Sequence, residues 1–304
     1  MLYLNLILIG ASIGGVYALL GLGLVLIYRS SGVLNFAQTS MAMFSTYVYW
    51  EVTTRAPFLT VWGALLIAVA FGAGLGVGLY KTVFVRLRDA PPVTRLIASV
   101  GVAFILPALA RVIWSGQSDH GIQLPAPFGT KVLRFGFAAI QTEQLALVVA
   151  SIAVGIGLHQ WMKRSVTGMA LRAVAQNRQA SQMLGVPEAR ISATAWGIGG
   201  ALAALAGVLY LPLQYLDPNQ MATMLPVAFA AALLGGLVNL PMALIGGIAL
   251  GAMESLFRGM HGVFPRLAPT IAALGIVAFL LARIDRFFVT PAELKAIEGE
   301  GAGR

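Results

Sequence analysis

KRSVTGMALRAVAQNRQASQMLGVPEAR, residues 163–190, is a long polar stretch inside a chain that is otherwise mostly apolar. It carries Lys163, Arg164, Arg172, Arg178 and Arg190 against one acid, Glu188. Such a stretch sits in water, and its charge places it on the basic side of a membrane. A short helix is legible within it. Asn177 is a side chain able to accept from a free backbone N–H two or three residues on, Gly185 suits a left-handed stop, and Pro187 prevents resumption. The helix so bounded runs over 178–184, with Ala180, Met183 and Leu184 on one face and polar side chains on the other. Two turns are marginal alone in water, so something must hold them. Two readings fit: a basic connecting loop, or a knob that docks in a groove of a soluble partner.

Working outward, 59% of the 304 residues are hydrophobic and 10% are charged, and the mean hydropathy is +0.85. That composition is an all-α, polytopic transmembrane helix bundle, not a soluble domain. With no Cys, disulfides and thiolate metal sites are excluded. A pI near 10.3 would suggest nucleic acid in a soluble chain, but here the basic residues cluster at span ends, where membrane lipid and topology account for them. No nucleic-acid partner is expected.

Runs long enough to cross the bilayer lie at 2–28, 33–50, 59–80, 94–114, 141–162, 191–211, 241–257 and 267–284, with a shorter run at 225–238. The first has no Lys or Arg before it and is too long for a signal-peptide core, so it reads as a retained span. If the loops at 81–95 and 163–190 are cytosolic, six of the 20 Lys/Arg (Arg55, Arg111, Lys131, Arg134, Arg258, Arg266) fall outside and fourteen inside. This asymmetry puts the N-terminus outside and the C-terminal tail, 285–304, in the cytosol, provided that 225–238 and 241–257 descend and ascend as a pair. The count is then nine crossings, against eight if the short run only dips in. Tyr47, Tyr49, Trp50, Trp62, Trp114, Tyr210 and Tyr215 fall at outer edges, and Trp161, Phe287 and Phe288 at inner ones, as interfacial aromatics do.

Glycines recur four apart at Gly10/Gly14, Gly72/Gly76, Gly74/Gly78 and Gly247/Gly251, the spacing of close helix contacts in membranes. No Walker-type loop accompanies them, so the chain has no ATPase site of its own. The apolar pattern breaks at RSSGVLNFAQTS (29–40) and GGLVNLPM (235–242). Each is either a surface turn or a discontinuous helix whose free backbone groups face a translocation path. On the second reading Asn35, Phe36, Gln38 and Asn239 line the substrate path. Glu254 is the one acid inside a span away from its inner end, and it lies toward the outer end, so no mid-depth carboxylate is available for ion coupling. His120, His159 and His261 lie apart, with no catalytic or metal-binding arrangement.

Five ordered blocks carry a likeness: GGVYALLGLGLVLIYRSSGVLNFAQ (14–38), RLIASVG (95–101), GMALRAVAQNRQASQMLGVPEAR (168–190), AWGIGGALAALAGVLY (195–210) and FAAALLGGLVNLPMALIGGIALGAMESL (229–256). Together they resemble the LivH-type permeases of branched-chain amino acid ABC importers over nearly the whole chain. The resemblance implies a single permease domain, 1–304, in the bacterial inner membrane, working with a homologous second permease subunit, two cytosolic ATPase subunits that bind the ATP, and an extracytoplasmic substrate-binding protein. It implies no cofactor of the chain's own. It also implies that 163–190 seats on an ATPase subunit through Ala175, Asn177, Arg178, Met183, Leu184 and Gly185. Where the family commonly reads NFAHGE this chain has NFAQTS, and GGIGSIPGA becomes GGLVNLPMA; both changes lie where a substrate would pass. A carrier or passive facilitator acting alone, for a small amide such as urea, is the alternative function.

Overall fold

The computed structural model describes residues 2–56, 59–114, 122–135 and 138–259. The run at 267–284 and the tail at 285–304 lie outside the described residues. The described residues form an all-α bundle with one small hairpin. Its helices are α1 (Leu2–Ser31), α2 (Gln38–Arg55), α3 (Val61–Leu79), α4 (Pro92–Ile113), α5 (Thr142–Arg164), α6 (Val166–Gln176), α7 (Arg178–Met183), α8 (Glu188–Tyr210), α9 (Leu225–Leu234) and α10 (Leu240–Arg258). Strands β1 (Val132–Phe135) and β2 (Ala138–Gln141) pair antiparallel between α4 and α5.

Among the described residues, six helices are long and apolar enough to cross a bilayer: α1, α3 with the π-helical turn Tyr80–Phe84 that continues it, α4, α5, α8 and α10. They divide by surroundings. Helix α1 is apolar on every face and is buried almost without break from Val16 to Ile27, the mark of a helix wrapped by others. By contrast α4 exposes Ile97, Phe104, Ile105, Leu109, Val112 and Ile113, and α5 exposes Val149, Ile152 and Ile156, as lipid-facing helices do. Helix α2 is too polar to count among the six, because Gln38, Thr39, Ser40, Ser45 and Thr46 face neighbouring helices and are all buried. This is also why the apolar run at 33–50 misplaces it: the helix starts five residues later, after a turn opened by Gly32 at φ +64°.

Glycines set the closest contacts. A Cβ on Gly10 would lie 2.6 Å from the Gly251 carbonyl oxygen, and one on Gly14 2.6 Å from Ile248 Cα, so α1 and α10 meet backbone to backbone. Gly72 and Gly76 receive α8 in the same way, a Cβ on Gly72 lying 2.6 Å from the Gly200 oxygen. The Gly74/Gly78 pair departs from expectation: both face away from the bundle, with nothing within 4 Å of an added Cβ.

The direction of each pass follows from contacts at the ends. Arg95, at the start of α4, donates to the Ser31 carbonyl at the end of α1 (2.9 Å). At the other end of α4, Arg111 donates to the Asn219 side chain (2.8 Å). Sixteen residues of helix, about 24 Å at ~1.5 Å each, separate these two ends. The chain from Asn219 to Val238 covers that same depth, since Val238 accepts from Arg29, back beside Ser31 (3.0 Å). A 3₁₀ segment, Gln220–Met224, lengthens this pass beyond the short apolar run. The segment and α10 therefore descend and ascend as a pair.

The aromatic reading needs correction. Tyr47 and Tyr49 are fully buried and Trp114 and Tyr210 nearly so; Tyr47 stacks on Trp114 at 4.8 Å, and Tyr49 donates to the Pro125 carbonyl (2.6 Å). They are packing residues, whereas Trp62 and Tyr215 are exposed.

Candidate functional site: an interrupted helix, an amphiphilic pocket and a capped knob

The break between α1 and α2 is built from polar groups bonded to one another. Asn35 accepts from Ala37 N (3.1 Å) and donates to the Gln38 side-chain oxygen (3.0 Å), while Gln38 donates to the Gly199 carbonyl on α8 (2.9 Å). Both side chains are wholly buried, so they lock the start of α2 and do not face an open cavity. Phe36 points elsewhere: it lies 4.8 Å from Phe229 on α9 and lines a cavity of 400 Å³. Thr39, Ser40, Ala103, Pro107, Arg111 and Asn219 join it there. One cation and three neutral polar side chains in an otherwise apolar hollow suit a small amphiphilic solute.

Pro107 shapes that hollow. Having no N–H, it leaves the Ala103 carbonyl without its helical partner, and Ser40 donates to this oxygen (2.9 Å). Serine at position 40 therefore answers a carbonyl 63 residues away, which no local reading finds.

The second interruption, between α9 and α10, is a left-handed stop. Gly236 (φ 63°) and Leu237 (φ 55°) follow the helix; Gly236 N bonds the Leu233 oxygen (2.7 Å) and Leu237 N the Ala232 oxygen (2.9 Å). A leucine in this conformation is strained, by about 1–2 kcal/mol, and Arg29 pins the next residue. Asn239 caps α10 by accepting from Met242 N (3.3 Å), and its side chain is exposed at the basic end of the bundle.

At that end, 163–190 holds two helices where one was expected. Helix α6 is capped by Ser165, which accepts from Gly168 N (2.9 Å), and packs Leu171 and Val174 against the bundle. The chain reverses sharply before it, since a Cβ on Gly168 would lie 2.5 Å from Met162 Cα. The signal was present in Ser165 and in the spacing of Leu171 and Val174. Asn177 caps α7 by accepting from Ala180 N (2.9 Å), and Gly185 (φ 77°) ends it, with Gly185 N on the Gln182 oxygen (2.9 Å) and Val186 N on the Ser181 oxygen (3.0 Å). Gln182 also donates to Glu188, so the one acid of this stretch holds the knob against the start of α8. The apolar tip is bare: Met183 is 88% exposed and Leu184 83%. Ala175 and Asn177 are exposed beside it, and Arg178 begins α7.

At the opposite end, buried Glu254 accepts from Tyr17 (2.7 Å) and Arg258 (2.6 Å), a charge neutralised within the bundle. No cluster of potential metal ligands occurs among the described residues.

A polytopic helical bundle with two interrupted passes, a half-open amphiphilic pocket and an exposed capped knob defines a membrane permease component. The particular family follows from comparison: residues 6–281 match the branched-chain amino acid transport system permease component family. The chain belongs to that family. It is 28% identical over 271 residues to the high-affinity branched-chain amino acid transport system permease protein BraD of Pseudomonas aeruginosa, covering 86% of this chain and 88% of that protein. It is 30% identical to a probable branched-chain amino acid transport permease protein LivH of Methanocaldococcus jannaschii (83% and 80% covered). It is 23% identical to the fructose import permease protein FruF of Bifidobacterium longum (92% and 77% covered).

Proposed function

We propose that this chain is the membrane-spanning permease subunit of an ATP-driven ABC importer for branched-chain or other hydrophobic amino acids. It is one permease domain in the bacterial inner membrane, with the basic end and the C-terminus in the cytosol. Its partners are a homologous second permease, two cytosolic ATPase subunits that bind the ATP, and an extracytoplasmic binding protein; it holds no cofactor itself. Ala175, Asn177, Arg178, Met183, Leu184 and Gly185 form the ATPase-facing surface. Phe36 borders the substrate path, Asn35 and Gln38 hold its wall in place, and Asn239 stands at its cytosolic mouth.

The observation that carries this reading is the exposed apolar tip of α7 on a segment otherwise fixed by caps at both ends. A fixed, bare apolar tip fits a groove on a soluble partner, and a carrier working alone leaves it without a purpose. Movement transmitted through α6 and α7 would then rock α1 and α8 between outward- and inward-open states. The test is leucine uptake into vesicles holding the chain with its partner subunits, with and without ATP. Uptake that needs ATP and all partners supports the proposal; equal uptake by this chain alone, without ATP, overturns it.

A further inference from the structure

Beneath the knob, the inner ends of α1, α4, α6 and the α9–α10 turn enclose a second cavity, of 390 Å³. Arg29 and Arg95 line it, and both are half-buried. Each guanidinium has five N–H donors, of which Arg29 directs one to the Val238 carbonyl and Arg95 one to the Ser31 carbonyl. The Nε atoms of both are buried without a partner. Among the described residues neither arginine meets a carboxylate. An adjoining cavity of 290 Å³, sharing Arg29, adds Lys163 and Arg172, and no Asp or Glu among the described residues lines either. Two forked cations with donors to spare call for an oxyanion.

The remaining walls narrow the choice. Helix α6 ends at this cavity through Gln176, and a helix C-terminus presents carbonyl oxygens and partial negative charge, whereas the α1 carbonyls of Tyr28, Ser30 and Ser31 already accept from Gly32 N, Ser192 and Arg95. Tyr28, Val174 and Val238 supply apolar surface. A free phosphate uses the arginines and leaves the rest idle. A lipid headgroup has to bring acyl chains past α1, which is buried from Val16 to Ile27. A zwitterion with an apolar side chain uses all three features.

We propose that this cavity is a cytosolic exit site for the transported amino acid. Arg29 and Arg95 hold its carboxylate, the carbonyl end of α6 receives its ammonium group, and Tyr28, Val174 and Val238 face its side chain. The inference rests on the amino-acid importer reading above. Because α6 is also the root of the knob, occupancy ties the inner ends of α1 and α4 to the coupling segment. Amino acid accumulating in the cytosol therefore slows turnover.

The experiment is equilibrium binding of labelled L-leucine to the full-length chain in phosphatidylcholine nanodiscs. Leucinol, 4-methylpentanoate and inorganic phosphate serve as competitors, and Arg29→Gln, Arg95→Gln and Arg95→Lys as variants, each checked by thermal unfolding. Leucine is expected to bind at least tenfold more tightly than leucinol, which lacks the carboxylate, or 4-methylpentanoate, which lacks the ammonium group. Each glutamine variant is expected to lose at least tenfold and Arg95→Lys less. Wild-type leucine binding that leucinol or phosphate matches overturns the proposal, and so does no leucine binding at all. Displacement of leucine by phosphatidylglycerol in the discs assigns the cavity to lipid and also overturns it. If the glutamine variants fail to fold, the competitor series on the wild-type chain decides. Glutamine variants that bind leucine normally, in an assembly that still imports leucine, sink the exit site and leave the importer reading intact. An assembly that imports no leucine sinks the importer reading itself.

Discussion

Ser40 donates its hydroxyl to the Ala103 carbonyl (2.9 Å), the backbone oxygen that Pro107 leaves without its helical partner on α4. The bond joins the polar helix α2 to a lipid-facing helix at the wall of the pocket that Phe36 lines. Removing the hydroxyl strands a carbonyl where water is scarce, at a cost of about 1–3 kcal/mol. Ser40→Ala is therefore expected to destabilise the chain by that amount in denaturant unfolding. In Pro107→Ala the helical N–H returns and the carbonyl no longer depends on Ser40. Adding Ser40→Ala to that background should cost less than 1 kcal/mol, and a full cost there refutes the coupling.

Glycines four apart look alike in sequence and differ in what faces them. Gly14→Leu drives a side chain into the backbone of α10, where Ile248 Cα stands 2.6 Å from the new Cβ. Bringing helices this close is what permits the α1–α10 contact, so the variant should lose folded protein, read as yield and monodispersity in detergent. Gly74→Leu meets nothing within 4 Å and should change stability by no more than about 0.5 kcal/mol. Equal losses in the two variants would show that the α1–α10 approach is not what those glycines provide.

What the sequence reveals depends on the range of the forces involved. The knob was legible because a helix stop is local chemistry: Asn177, Gly185 and Pro187 sit within eleven residues of one another. The long spans were legible because lipid demands apolar length. Helix α6 is hard to see because Arg172 and the flanking Lys163 and Arg164 mask Leu171 and Val174, although Ser165 marks its start. Helix α2 was displaced because protein, not lipid, surrounds it, so hydropathy does not report its bounds. The Asn35–Gln38 bond spans only three residues, but the Gly199 carbonyl that Gln38 reaches, 161 residues away, is a tertiary fact with no local trace.

Glu254 is 5% exposed at its side chain while Arg258, its partner one turn on, is 59% exposed. Exposure weakens what the arginine contributes through space, yet without it a buried carboxylate keeps only Tyr17 as donor. Arg258→Ala is expected to destabilise by about 3 kcal/mol, near the lower end for a broken buried pair. Tyr17→Phe, which leaves the ion pair in place, should cost about 1–2 kcal/mol. Glu254→Gln in the Arg258→Ala background should recover most of the loss in thermal unfolding. Failure to recover would mean that Arg258 acts through packing and not through its charge.

The knob separates folding from coupling, because its tip touches no other part of the described chain closely enough to bury it. Met183 and Leu184 are 88% and 83% exposed, so Leu184→Asp should leave the unfolding temperature within about a degree of the parent, as surface changes do. On the proposed reading the same change buries a carboxylate in the partner's apolar groove, and transport by the assembled system should fall at least tenfold. Gly185→Val acts differently. It forces a β-branched residue to φ 77°, which costs about 1–2 kcal/mol locally, and the strain is relieved by opening the turn that aims Leu184. Its effect should appear as weaker copurification of the ATPase subunits with α8 still intact by circular dichroism. Asn177→Ala removes the cap at the other end, about 1 kcal/mol, and should give a milder form of the same defect. Should Leu184→Asp transport leucine at the parent rate, α7 is a connector and force reaches the bundle by another route.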